Sequence, residues 1–273
     1  MRPADPYGRT DKLDGSLLDV VVARLEARGK HPFFERMLTE YLDVMQIDAA
    51  RSVLDMGCGT GVASRALLRR PGFAGKVTGI DLSPYLAQTA ERLAKEEGFG
   101  GRVDFHAGDT RSLNLHSGGF DAVIAHTLVS HVDDPLAVIR EAARVVKPGG
   151  LVGIFDGDYA SMTFGHLDPA QAKAADEAIV NAVITSPRVM RQMPRLLHSA
   201  GLSLVASRSY VLAEIGKADF WLPAIASFRR LIPAAGTMTE SDANALADAL
   251  VKASDEGVFF GASNYYSYVA SRP

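Results

Sequence analysis

Three glycines and two carboxylates carry the first chemical signal in this chain. Gly57, Gly59 and Gly61 alternate in the stretch VLDMGCGTG, with Asp55 just ahead of them, and Asp81 closes the next apolar run, VTGID. Glycines grouped in this way let the backbone approach a ligand closely and adopt conformations that other residues avoid. A helix starting directly after them turns free N–H groups toward the same spot. A carboxylate at the end of the neighbouring strand is placed to accept hydrogen bonds from a ribose diol. Together these features predict a nucleoside-containing cofactor at the C-terminal edge of a sheet. The spacing does not fit a dinucleotide, whose fingerprint has its third glycine three places after the second. Val62 stands there in this chain.

Such residues need a scaffold, and the sequence supplies one. SLLDVVVARLEAR and HPFFERMLTEYLDVM each carry an apolar helical stripe. SVLDMG reads as a strand, VASRALLRR as a helix closed by Pro71-Gly72, and KVTGIDLS as a second strand. Ser83 can cap the next helix, with Pro84 at its first position. RVDFHAGD and FDAVIAH are the third and fourth strands, PLAVIREAARVV a helix ended by KPGG, and LVGIFDGD the fifth strand. Strands spaced by helices in this way predict βαβ units and a doubly wound parallel sheet. The tail differs. Two helical stretches precede a long strand, LSLVASRSYVLA, and two more precede a last strand, VFFGASNYYSYVAS.

The stretch VLDMGCGTG resembles motif I of the class I S-adenosylmethionine-dependent methyltransferases. GIDLS, AGDTRSL, FDAVIAHTLVSHVDDP and VVKPGGLVGIFD follow in that family's order, so the resemblance runs from Arg51 to Asp158. It implies a Rossmann-like α/β fold, a doubly wound seven-stranded sheet with its last strand antiparallel. It also implies a division into an N-terminal helical cap, 1–48, and a methyltransferase domain, 49–273, with helical insertions at about 160–200 and 218–257. S-adenosylmethionine is the implied cofactor. By resemblance Gly57 and Gly59 would underlie its methionine part, and Asp55 would order the loop or meet the amine through water. Asp81 would hold the ribose, Leu82 would pack on the adenine, and Asp109 would accept from the adenine amine beside Thr110, in the Gly108–Thr110 turn. The His126 carbonyl would face the methionyl amine. His131 matches a histidine common in the family and reads as a residue that fixes the loop before Asp134. Cys58 reads as a small buried residue.

The acceptor is narrowed mostly by absence. The chain has 273 residues, 47% hydrophobic and 22% charged, and a formal net charge of -3. No basic stripe and no Asn/Asp-Pro-Pro-Tyr run follows the fourth strand, which argues against nucleic acid. No apolar run approaches a membrane span, and the polar N-terminus lacks the apolar core of a secretory signal. A single cysteine favours a reducing, cytoplasmic setting. No metal cluster is apparent. Phe33/Phe34 and Phe220/Trp221 read first as core. With Met162, Phe164, Met190 and Met193 they can also line a pocket for a small, largely apolar acceptor. The expected activity is therefore methyl transfer to oxygen, carbon or nitrogen of such a molecule, in the ubiquinone-biosynthesis-like group. An NAD(P)-dependent oxidoreductase and a non-catalytic S-adenosylmethionine-binding protein are the rival readings. If the acceptor must lose a proton, a base has to stand at the C-terminal sheet edge. His126, after strand four, is the first choice there, with Asp158 as its partner; His131 and His166 lie farther along the connecting segments. An ordinary histidine pKa of about 6.5 suits that task.

Overall fold

A computed structural model describes residues 5–165 and 168–273; His166 lies outside the described residues. The chain enters through a short 3-10 turn, Tyr7–Lys12, and then α1 (Gly15–Gly29) and α2 (Pro32–Val44). The predicted alternation follows: β1 (Ser52–Met56), α3 (Val62–Leu68), β2 (Lys76–Asp81), α4 (Pro84–Glu96), β3 (Val103–Ala107), β4 (Phe120–His126), α5 (Pro135–Val145) and β5 (Val146–Phe164). The tail carries α6 (Pro169–Val183), α7 (Val189–Ser199), β6 (Ser203–Gly216), α8 (Leu222–Ala234), α9 (Glu240–Asp255) and β7 (Phe259–Ser271).

The seven strands form one sheet in the order β3-β2-β1-β4-β5-β7-β6. β1 to β5 pair in parallel, and β7 runs antiparallel between β5 and β6. The order reverses beside β1, where β4 lies on the other side from β2. This is the place where open α/β sheets leave a crevice at their C-terminal edge. Local chemistry agrees with the layout. The Asp14, Ser83, Asp134 and Thr239 side chains cap α1, α4, α5 and α9. Pro84 and Pro135 stand at first helical positions, where a missing N–H costs nothing.

Two apolar layers hold the sheet. α2, α3 and α4 cover one face, with Phe34, Met37, Tyr41 and Leu42 of α2 buried against Phe155 and Tyr265. α5 and α7 cover the other, through residues such as Val138, Ile139, Met190 and Met193. Burying each such side chain contributes about 1.5–3 kcal/mol. Half of the expected N-terminal cap is thus core: α2 fills the layer over β5 and β7, while α1 and the 3-10 turn lie over the sheet edge near α3 and α4. β5 also exceeds its predicted span. It continues past Asp158, through a break in register, to pair Thr163 and Phe164 with β7.

Candidate active site

The glycine turn behaves as its composition predicts. Gly57, Gly59 and Gly61 have φ of 69, 54 and 77°, in the left-handed region that side chains disfavour. A Cβ on Gly57 would meet Leu128 Cδ1 at 2.6 Å, so a larger residue there would also have to displace the Leu128 side chain. The Asp81 carboxylate braces the turn. Its Oδ2 accepts from the Gly59 N–H at 2.8 Å, and its Oδ1 from the Ser83 N–H at 2.9 Å. Burial raises the Asp81 pKa above the usual carboxylate range, against the lowering effect of those two N–H groups. Each oxygen keeps a second lone pair for another donor.

Asp55 carries the clearest mark of a missing partner. It is fully enclosed at the end of β1, and its Oδ2 accepts from the Ser64 hydroxyl at 2.6 Å. Its Oδ1 is buried without a hydrogen-bond partner among the described residues. Burial pushes the Asp55 pKa up to about 7. A buried carboxylate oxygen with no donor is costly, and a cofactor ammonium is the kind of group that would relieve it. The residues therefore fit the methionine end of S-adenosylmethionine.

One cleft is lined by Asp55, Gly57, Gly59, Asp81 and His126. Leu82, Gly108, Asp109 and Thr110 are outside that lining. They follow β2 and β3 along the same edge, and the Gly108 N–H donates to the Asp81 carbonyl at 2.8 Å. The Asp109 carboxylate is gripped by Arg111, through Nε at 3.0 and 3.1 Å and Nη2 at 2.8 Å, and that pairing lowers its pKa.

Three features escaped the sequence reading. Arg28, near the end of α1, enters the cleft and has no carboxylate partner among the described residues. Its Nη2 donates to the Thr127 hydroxyl at 2.6 Å, and its guanidinium stands over the Phe34 ring. That leaves a cation without a carboxylate partner among the described residues in the same cleft as the glycine turn. Thr127 has φ of 56°, an outlier for a β-branched residue. Such strain costs about 1–3 kcal/mol and gathers at functional sites. Here Arg28 and a 2.7 Å bond from the Thr127 N–H to the Phe155 carbonyl hold it.

The third feature is a buried pair. Asp5, from the entering segment, accepts from His131 Nδ1 at 2.9 Å, from the Thr185 hydroxyl at 2.9 Å and from the Thr185 N–H at 3.1 Å. Burial alone would lower the His131 pKa, but the Asp5 charge and hydrogen bond outweigh it and the net shift is upward. His131 lines the cleft and also a second cavity of about 550 Å3. Tyr159, Met162, Phe220, Trp221, Phe228 and Tyr265 make much of that second wall. Of the residues expected to line such a pocket, Met162, Phe220 and Trp221 do so, while Phe34 borders the cleft. Phe33 and Phe164 pack in the core, and Met190 and Met193 lie buried on the opposite face of the sheet.

His126 and Asp158 are not brought together. His126 pairs in register with Phe155, stacks on its ring at 4.8 Å, and shares a 3.3 Å contact between Nδ1 and the Tyr41 hydroxyl. Asp158 projects to the other face, as alternation along β5 requires, and is paired with Arg191 of α7 at 2.8 Å. Burial, with the Arg28 charge, lowers the His126 pKa to about 3, far from the ordinary value assumed from sequence. Cys58 is buried, and burial raises its thiol pKa well above the ordinary value.

Residues 53–150 match the family described as a methyltransferase domain. Methyltransferase GfsG of Streptomyces halstedii is 30% identical over 63% of this chain and 59% of its own length. The ubiquinone biosynthesis O-methyltransferase of Xanthomonas axonopodis pv. citri is 38% identical over 41% of this chain and 45% of its own. The chain spans about half the length of the curated relatives it matches. Among solved structures, the [4+2]-cyclase SpnF aligns over 100% of this chain and 98% of its own, with a TM-score of 0.63 and 21% identity. Over residues 53–150, fold, glycine turn and family match are those of a class I S-adenosylmethionine-dependent methyltransferase domain. Among the described residues no helix is long and apolar enough to cross a membrane, and no group of potential metal ligands gathers.

Proposed function

We propose that the chain methylates a hydroxyl or an acidic carbon of a small, largely apolar or aromatic molecule held in the second cavity. The His131–Asp5 pair carries this reading: it stands where the cofactor cleft and the aromatic cavity meet. S-adenosylmethionine, when bound, supplies a methyl group already activated on sulfonium. Asp55 and Arg28 hold its charged end, and Gly57 and Gly59 let it lie against the backbone. The aromatic wall orients the acceptor and excludes water, and such positioning can supply about 7–11 kcal/mol. Asp5 fixes the His131 ring through Nδ1 and steadies the cation formed when His131 takes the acceptor's proton. A relative named as an O-methyltransferase favours oxygen as the attacking atom.

The test is transfer of labelled methyl to a panel of phenols, quinols and amines. In the wild type, kcat/KM should rise with pH through a midpoint above 6.5, because His131 acts only when neutral. His131→Asn should flatten that profile and cost about 10²–10⁴-fold, with cofactor affinity retained by calorimetry. A loss of only a few-fold would remove the base. Cofactor binding with no transfer to any acceptor would favour a binding protein without turnover.

A further inference from the structure

The aromatic cavity has one wall of a different kind. Arg24 and Arg28 stand one turn apart on α1 and both line it, and His31, just past the helix, joins them. Like charges at this helical spacing repel, at a cost of about 0.2–0.5 kcal/mol. Neither arginine has a carboxylate partner among the described residues, although others, such as Arg65, Arg70, Arg111 and Arg191, do. Asp219, exposed, also lines the cavity but pairs with neither. The His31 Nδ1 accepts from the Phe33 N–H, so the neutral ring offers a donor at Nε2. Arg28 reaches the cofactor cleft; Arg24, about 5–6 Å farther along the helix, lines the second cavity alone.

We infer that the acceptor is an amphipathic anion, an apolar ring system whose carboxylate or phosphate head seats on Arg24, which lines the second cavity but not the cofactor cleft. The inference rests on the reading of this cavity as the acceptor site. A guanidinium presents a planar fork that matches either head group. Ringed by apolar side chains, the ion pair is less screened than one on the open surface. The head would thus fix which end of the acceptor points toward the methyl group, and the aromatic wall would hold the body.

The full chain, saturated with S-adenosylhomocysteine, would be titrated with 6-hydroxy-2-naphthoate, its methyl ester and 6-hydroxy-2-naphthyl phosphate. Calorimetry should show the acid or the phosphate binding at least about tenfold tighter than the ester. The tighter of the two tells a carboxylate head from a phosphate. Arg24→Gln, a change at a half-buried position of α1, should erase that preference while ester affinity stays within about twofold. An ester that binds as well as both anions, no binding by any probe, or an Arg24→Gln protein that keeps the preference would each overturn the inference. Affinity for S-adenosylmethionine, measured on the same proteins, reports separately on the methyltransferase reading.

Discussion

Two histidines on neighbouring segments receive opposite fates from their surroundings. His126 is buried against the Phe155 and Tyr41 rings, and the nearby Arg28 charge adds to the penalty on a proton, so its pKa falls to about 3. A base that weak has little pull on an acceptor's proton near neutrality. His131 meets a carboxylate, which outweighs its burial. His126→Asn should therefore change kcat/KM by a few-fold at most and leave the shape of the pH profile alone. A profile that loses its rising limb in His126→Asn would return the base to that position. Sequence could place both residues after strand four, but nothing in it says that residue 5 meets residue 131. Likewise the strand-to-helix turn was legible from its three glycines, whose freedom at positive φ suits it, whereas the places of Arg28 and Thr127 were not. An arginine inside an amphipathic helix has no mark that separates a cleft from solvent.

At the scale of elements, the strands and helices of residues 52–145 were legible because apolar period, caps and glycine stops agree there. The N-terminal helices read alike, since both carry apolar stripes, yet only α2 entered the core. α1 covers the site instead, tied to the glycine turn by Glu26, which accepts from the Thr60 hydroxyl at 2.6 Å and pairs with Arg65. The two should respond differently to damage. Phe34→Ala should cost about 3–5 kcal/mol of stability, since its ring fills the layer between α2, Phe155 and Tyr265. Among the described residues, removing 1–13 takes away Asp5, Tyr7 and Thr10 but no part of the sheet or its covering helices. The shortened chain should keep its circular dichroism spectrum and melt within several degrees of the full one. Without Asp5 its His131 pKa drops, so the rising limb of kcat/KM should move to lower pH and its plateau fall. An unshifted limb at full rate would show that the entering segment does not set the base.

Across the whole molecule, the fold carries an ionisation penalty at Asp55, in the cleft proposed for the cofactor's charged end. The Asp55 pKa is about 7 in the folded chain against an ordinary value of 3.8. The folded state thus binds the extra proton between those values, and stability from this group falls as pH rises from 3.8 to 7, then levels off. Burial holds Asp81 and Asp156 above the ordinary range with the same sign. His131 adds to the fall: its contribution is present below 6.5 and lost as pH climbs through its raised pKa. His126 runs the other way, destabilising at acid pH and harmless above 6.5. Because these overlap, the Asp55 share is best isolated by difference. In the cofactor-free chain Asp55→Asn should raise the melting temperature over wild type by an amount that grows from pH 4 to pH 7 and then stays level. With saturating S-adenosylmethionine the order should invert, because the ionised wild-type carboxylate gains an ammonium partner and the amide cannot match it. Thermal unfolding with and without cofactor from pH 4 to pH 8 checks both halves. A difference that is flat with pH would mean that Asp55 is already at ease in the fold, and the cofactor's amine would need another partner.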